Sequence, residues 1–414
     1  MNKFGIGIVS DDPVFQRAIR QAAAQHPDHD IVSMSLDSAL DVLGETPSLK
    51  GLLIDGKGDI SKVMACLNGL ADRARDLGIP LLILKDVHSS LVPQQCLDAG
   101  CTGIIPRTTH IGKIKKALET ACAFDLYIWG ARGTLPVCGR KTLKYGGSTS
   151  SVSLKIAGNR QFVFDAGTGL RNFSRHLMRK EGGRFNGRIF ITHPHWDHLN
   201  CIPFFEPLYL PENQIYLMGP PHEGQSFREL LEGQMNGIYF PIKPESFKAK
   251  VTYITTEEGC FLYDGIRVKA LRLDHPGCCL GYRIEHAGRS IAYITDNELR
   301  DESFSGESWD ALVTFLDGVD YLIHDCSYFD EEYLSRIHWG HSSVGRVVAL
   351  ALAARVGHLF LFHHDPEHGD TEIEAKLREA ERHVSMRGGV LACHNAREGD
   401  IWNLAAGRLK GSLR

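Results

Sequence analysis

Apolar positions in the first 122 residues follow two alternating patterns. Short runs such as F-G-I-G-I-V-S (4–10), D-I-V-S-M (30–34), G-L-L-I-D (51–55), I-P-L-L-I-L (79–84) and T-G-I-I-P (102–106) read as strands buried on both faces. Between them, P-V-F-Q-R-A-I-R-Q-A-A-A-Q (13–25), S-L-D-S-A-L-D-V-L (35–43), I-S-K-V-M-A-C-L-N-G-L-A-D-R-A (60–74), S-L-V-P-Q-Q-C-L-D-A (90–99) and I-G-K-I-K-K-A-L-E-T-A (111–121) read as helices. Five strand–helix units in succession predict an α/β fold, a doubly wound (βα)5 parallel sheet covered on both faces. The pattern then restarts with the strand F-D-L-Y-I-W-G (124–130), with no Pro-, Ser- or Gly-rich linker before it. Two domains are expected, 1–123 and 124–414, packed together rather than loosely tethered.

In the second part, apolar runs end in side chains that can bind metal. R-I-F-I-T (188–192) precedes His193, V-K-A-L-R-L-D (268–274) precedes His275, S-I-A-Y-I-T (290–295) precedes Asp296, and H-L-F-L-F (358–362) precedes His363. Two further runs end in the carboxylates Asp165 and Asp325. A strand fixes the residue that follows it, so neighbouring strands can aim imidazoles and carboxylates at one point. The loop H-P-H-W-D-H (193–198) then supplies two pairs. His193 and His195 reach one ion and Asp197 and His198 a second. His275 completes the first set, His363 the second, and Asp296 bridges, giving about four ligands per ion. Imidazole with carboxylate suits zinc, manganese or iron. His26, His29, His88, His110, His222, His358, His383 and His394 lack such a pattern and are expected at the surface or in caps, and Cys278 and Cys279 as ordinary buried residues.

Composition narrows the function classes. A net charge of −4 over 414 residues gives no electrostatic case for non-specific binding to nucleic acid or membranes. No stretch approaches the roughly 18 apolar residues of a membrane span, and the N-terminal apolar run is too short for a signal peptide. Eleven cysteines without a C-x-x-C pair suit reduced thiols, and a cytoplasmic location is expected.

On Y-G-G-S-T-S (145–150), F-D-A-G-T-G-L (164–170), H-P-H-W-D-H (193–198), L-D-H-P-G-C-C-L-G-Y-R-I (273–284), A-Y-I-T-D (292–296), I-H-D-C-S-Y (323–328), W-G-H-S-S (339–343) and L-F-H-H-D-P (361–366), residues 125–410 resemble the metallo-β-lactamase-fold hydrolases. The nearest likeness is to ribonuclease Z and related phosphodiesterases. The resemblance implies an αββα sandwich with a dinuclear metal site at one edge of its sheets. It further implies that Asp165 braces the histidine loop, and that His341 donates a proton to the leaving oxygen with Asp325 orienting it. Asp197 could also orient the attacking water. From the residues alone, His341 would start a helix capped by Ser342 or Ser343. His324 and His364 are expected to support the ligands beside them rather than bind metal.

The interval from His275 to Asp296 holds a strand, a tight H-A-G-R turn and a strand, leaving no room for the tRNA-gripping arm common in ribonuclease Z. The expected substrate is therefore a small or cyclic phosphodiester, cyclic nucleotide-like, rather than a large nucleic acid. Single-strand nuclease and glyoxalase II-like thioester or lactone hydrolase remain as alternatives. The aromatic and proline-rich residues 201–247 read either as a pocket wall able to stack a base or as a packed loop.

Residues 3–122 resemble the receiver domain of response regulators. Asp55 falls at the phospho-acceptor position and Asp11 and Asp12 at the acidic pair that binds Mg2+. The resemblance implies a histidine kinase partner or homodimerisation through this domain, and regulation of the hydrolase. Two positions depart from the pattern. Lys85 and Asp86 stand where a Ser or Thr follows the fourth strand, and Arg107 or Pro106 stands where a Lys precedes a Pro after the fifth. Such a site reads either as a working acceptor or as a degenerate receiver used for docking.

Overall fold

The computed structural model describes residues 4–26, 28–46, 48–238, 240–300 and 306–413. The first strands are β1 (Phe4–Val9), β2 (His29–Met34), β3 (Leu49–Asp55), β4 (Leu81–Lys85) and β5 (Gly103–Pro106). They alternate with α1 (Pro13–Ala24), α2 (Ala39–Glu45), α3 (Ile60–Asp76), α4 (Pro93–Asp98) and α5 (Ile111–Ala121). All neighbouring strands are parallel in the order β2-β1-β3-β4-β5. Side chains of β1 and β3 are buried on both faces, Val9 and Ile54 packing with α3, Ile8 and Leu53 with α1 and α5. This explains the uninterrupted apolar runs in the sequence.

The remaining strands form two sheets. One contains β6 (Phe124–Gly130), β7 (Ser151–Ile156), β8 (Arg160–Phe164), β9 (Asn186–Phe190), β10 (Gln214–Gly219) and β11 (Lys250–Thr255). The other contains β12 (Gly259–Tyr263), β13 (Ile266–Leu273), β14 (Cys279–His286), β15 (Arg289–Ile294), β16 (Tyr321–Asp325), β17 (His358–Phe362) and β18 (Ala392–Asn395). The chain returns to the first of these sheets through β19 (Asp400–Asn403) and β20 (Arg408–Ser412), giving the order β11-β10-β9-β8-β7-β6-β19-β20 against β12 through β18.

The two sheets face each other across a core in which Phe164, Phe190 and Leu126 meet Tyr282, Tyr293 and Phe362. Helices cover the outer faces. On the first sheet these are α6 (Gly169–Glu181), the single turn α7 (Trp196–Leu199) and α8 (Phe227–Gln234). On the second they are α9 (Glu307–Leu316), α11 (Val344–Ala353) and α12 (Asp370–Met386), with the short α10 (Asp330–Tyr333) against α11. Each helix buries one stripe, as Leu170, Phe173 and Leu177 of α6 do at i, i+3 and i+7. The result is an αββα sandwich. Among the described residues, no helix is long and apolar enough to cross a membrane.

The N-terminal unit sits directly on the sandwich. Ala157 N–H donates to Ala123 O (2.8 Å), Arg160 Nη1 to Thr102 O (2.8 Å), and the imidazole of His286 to Ala121 O (2.8 Å). Arg267 on β13 reaches Asp72 on α3 (3.3 Å).

Candidate metal centre

The carboxyl ends of β8, β9, β13, β15, β16 and β17 converge at one edge of the sandwich, because these strands are neighbours within their sheets or face one another across the core. Asp165, Asp296 and His363, each directly after or one residue beyond a strand, adopt left-handed backbone conformations (φ 59°, 53° and 54°). Non-glycine residues rarely sit there without a compensating constraint. The sharp turn lets the chain leave the sheet at once while the side chain stays in the site.

Two sets of ligand atoms result. His193 Nε2 lies 2.8 Å from His195 Nδ1, His195 Nδ1 3.2 Å from His275 Nε2, and Asp296 Oδ2 is 3.5 Å from His193 and 3.8 Å from His275. Opposite them, His198 Nε2 is 3.1 Å from Asp197 Oδ2 and 3.2 Å from Asp296 Oδ1, while His363 Nε2 is 3.3 Å and 3.0 Å from the same two oxygens. Asp296 faces one set with each oxygen. Within each set the atoms lie within 4.8 Å of one another, as a cation-holding cluster requires.

The donor chemistry fits divalent ions. His198 Nε2 is buried between the Asp197 and Asp296 carboxylates without a well-formed hydrogen bond to either, and the imidazole nitrogens of His193, His195 and His275 crowd one point with only the Asp296 carboxylate to balance them. Burial holds His193, His195 and His275 below the ordinary histidine range, so each arrives neutral, the form that binds a cation. Burial opposes ionisation of Asp197 and Asp296, but the neighbouring histidines overcome it, and both carboxyls stay well below their usual range.

Each buried imidazole is tethered through its other nitrogen. Thr192 Oγ donates to Asp165 (3.0 Å) and accepts from His193 Nδ1 (3.0 Å). His198 Nδ1 donates to Asp165 Oδ2 (2.8 Å), and His275 Nδ1 to Gly340 O (3.0 Å). Ser327 Oγ lies 3.2 Å from His363 Nδ1. These contacts fix the tautomers and turn Nε2 inward. Only His195 presents Nδ1, leaving its outer edge exposed. Asp165 is fully buried and also accepts from Tyr293 (3.0 Å), so it braces both the histidine loop and the facing sheet.

A further pair lies beside the second set. His341 Nδ1 donates to the buried Asp325 Oδ2 (2.8 Å), and its ring stacks on His363 with centroids 4.8 Å apart. Burial works against a charge on His341, but the Asp325 carboxylate outweighs it and raises the imidazole to about 9.

Some expectations take a different form in the structure. Ser343 occupies the N-cap position of α11 without a side-chain cap, and the hydroxyl of its neighbour Ser342 donates to Asn297 O (2.6 Å) and accepts from Leu299 N–H (3.0 Å) rather than capping the helix. His324 bonds the Asp325 carbonyl (2.7 Å) and His364 the Ala396 carbonyl (3.2 Å), so they secure backbone around the site without touching ligand side chains. His222 lines a cleft beside His195.

The sequence reading also missed residues. Buried Glu298 accepts from Gly340 N–H (2.9 Å), His338 N–H (2.7 Å) and the Tyr333 hydroxyl (2.9 Å), holding the loop that carries both the His275 acceptor and His341. Thr134 N–H donates to Asp197 Oδ2 (2.8 Å). Gly133 lies against the His363 ring and Gly340 against the His275 ring, where any Cβ would collide. Isolated polar or glycine positions in loops carry no periodic signal. Only the proximity of Glu298 to Asp296 in sequence hinted at its place.

In the N-terminal sheet, Asp55 ends β3 and Asp11 and Asp12 follow β1, and Asp12 and Asp55 share the Arg107 guanidinium. Asp55 accepts from Arg107 Nε (2.7 Å) and Nη2 (2.9 Å), Ser10 Oγ (2.8 Å) and Lys57 N–H (3.2 Å). Asp12 caps α1 and meets Arg107 (3.1 Å), while Asp11 accepts from Leu36 N–H (3.0 Å).

Comparison with known proteins agrees with this architecture. The family described as the Beta-lactamase superfamily domain matches residues 160–364. Ribonuclease BN of Salmonella paratyphi C is 26% identical over 273 residues, 53% of this chain and 83% of that protein. Ribonuclease Z of Thermoplasma acidophilum is 25% identical over 254 residues, 51% of this chain and 79% of that protein. The metallo-beta-lactamase fold protein YhfI from Bacillus subtilis superposes with a TM-score of 0.50 at 16% identity, covering 68% of this chain and 99% of its own. The sandwich therefore has the metallo-β-lactamase fold.

Proposed function

We propose that this chain, a metallo-β-lactamase-fold hydrolase in its second part, is a dinuclear metal-dependent phosphodiesterase acting on a small or cyclic phosphodiester. The observation that carries the reading is the pairing of two four-residue ligand sets, joined by Asp296, with the separate His341–Asp325 couple beside them. His193, His195, His275 and Asp296 would hold one cation, and Asp197, His198, His363 and Asp296 the other. Cations held there acidify water and offset the charge that builds on a phosphoryl oxygen during in-line displacement.

The side chains of the chain itself do the rest. Asp197, held by Thr134 N–H and beside His198 and His363, would orient the incoming water. Asp165, Thr192 and Ser327 keep the imidazoles from rotating, so the site is organised before substrate arrives. His341, charged and steadied by Asp325, supplies the proton to the departing ester oxygen. Carbonyl hydrolysis has no equal need for that proton, which places thioester or lactone hydrolysis behind the phosphodiester reading.

The relatives named as ribonucleases favour a nuclease as the second reading. Against a large structured RNA stands the short interval between His275 and Asp296, nearly all of it β14, a tight turn and β15. The test is metal analysis of purified protein together with turnover of bis(p-nitrophenyl) phosphate, cyclic nucleotides, short single-stranded RNA and a glutathione thioester. Bound transition metal and cleavage of the small phosphodiesters are expected. Thioester turnover without phosphodiester turnover would overturn the proposal.

A further inference from the structure

Beside the metal loop, the outer face of His195 opens into a cleft of about 660 Å3, within the roughly 300–1,000 Å3 typical of small-ligand sites. Trp196, the first residue of α7, lines it and is 78% exposed. An indole left in solvent one residue from a metal ligand gains nothing for folding, since burial is what stabilises a large aromatic. Across the cleft stands Phe240, held edge-on by the half-exposed Phe204 with ring centroids 5.2 Å apart. Pro194 and Pro203 stiffen the walls.

The polar groups of the cleft are few: the imidazoles of His195 and His222 and two amides. Asn200 and Gln234 present the amides; Gln234 Nε2 donates weakly to Leu199 O (3.4 Å), and the Asn200 Oδ1 is buried without a hydrogen-bond partner. Among the described residues lining the cleft there is no Lys, Arg, Asp or Glu. A second phosphate would find no Lys or Arg here, and an ammonium no carboxylate. A flat, neutral ring with donors and acceptors on its edge would find an aromatic face and amide partners, the pairing by which Asn and Gln read base edges.

We propose that this cleft is a nucleobase subsite, with the base against Trp196, its edge toward Asn200 and Gln234, and the single scissile phosphate at the metal centre beyond His195. The assignment rests on the phosphodiesterase reading and narrows it to mononucleotide-sized, base-bearing phosphodiesters. The shared residue explains the geometry, because His195 belongs to the ligand set on one side and to the cleft wall on the other. Polyribonucleotides are disfavoured in this cleft, since each added phosphate lacks a counter-charge along it.

The test compares kcat/KM of the full chain for adenosine 2′,3′-cyclic phosphate and for ribose 2,3-cyclic phosphate, which lacks the base. Stacking of one base on an aromatic side chain contributes about 5- to 150-fold, so wild type should prefer the nucleotide by a factor in that range, mostly through KM. Trp196→Ala should collapse the ratio toward unity and Trp196→Phe should restore most of it. Equal turnover of both substrates by wild type overturns the subsite and leaves the phosphodiesterase standing.

If neither substrate is turned over, binding decides. Adenosine should quench the fluorescence of wild type but not of Trp196→Ala, in which case the subsite survives without the proposed reaction. Identical titrations for the two proteins would end it.

Discussion

At the scale of single residues, the pairing of His341 with Asp325 makes the sharpest claim. Burial alone lowers an imidazole, so the value of about 9 exists because the Asp325 carboxylate stands 2.8 Å away. A proton donor works below its own pKa, and two bound cations would repel the imidazolium and bring the alkaline limb of the pH–rate profile below 9. Asp325→Asn removes the raising influence, so the limb should move further down, and at pH 8 the rate should fall at least about tenfold while at pH 6 it stays closer to wild type. A profile that merely drops by a constant factor at every pH would refute the donor role. The same couple stabilises the metal-free fold fully below about pH 6.5, and that contribution is lost as pH rises through about 9.

At the scale of elements, strand ends decide what each half of the molecule can do. In the sandwich they deliver candidate ligand atoms that crowd one another instead of pairing off, as His198 Nε2 does between the Asp197 and Asp296 carboxylates. In the N-terminal sheet they deliver Asp55 and, just beyond β1, Asp12, both already engaged by protein donors. An ionised carboxylate offers about four acceptor directions. Arg107, Ser10 and Lys57 between them supply four donors to Asp55, and the Arg107 guanidinium also spans to Asp12, standing where a divalent ion would be needed. Full-length protein exposed to acetyl phosphate and Mg2+ is therefore expected to gain no phosphoryl group on Asp55, checked by intact mass. Arg107→Ala should lower stability by about 3 kcal/mol through the stranded, nearly buried Asp55, and Mg2+ should then raise the urea midpoint of the variant but not of wild type. A phosphorylated Asp55 in wild type would reverse this reading.

At the scale of the whole molecule, the two units are joined by buried polar contacts, and His286 is the most informative. Its ring is buried against Phe124 and donates to the Ala121 carbonyl at the end of α5, and burial lowers it to about 4. The folded pKa is depressed, so the unfolded chain takes up a proton first. The contribution is intact above about pH 6.5 and is lost as pH falls toward 4. Between pH 7 and pH 5 this one residue should account for about 2 kcal/mol of lost stability. His286→Gln, which can still donate to Ala121 O, should flatten the pH dependence of the thermal midpoint by that amount. An unchanged slope would show that the junction does not carry the acid sensitivity.

Much of this was legible along the chain. The apolar runs mark most of the strands that position the site, and a fixed residue at the end of each run is a local property, so His193, His275, Asp296 and His363 could be picked out without knowing where they meet. The doubly wound order of the first sheet leaves the same trace, because strands buried on both faces must be apolar throughout. What the chain alone could not give are relations between distant loops. Glu298 acts through the backbone of Gly340, and Gly133 matters only because the His363 ring lies against it. Whether Arg107 fills or leaves open the acidic site of β1 and β3 depends on the path of one flexible side chain across the sheet edge. The cleft at Trp196 exists because two segments that are ordinary when read separately pack with a gap between them. Periodicity records which residues are buried; only the folded chain determines which polar atoms are left without partners, and those atoms define the chemistry.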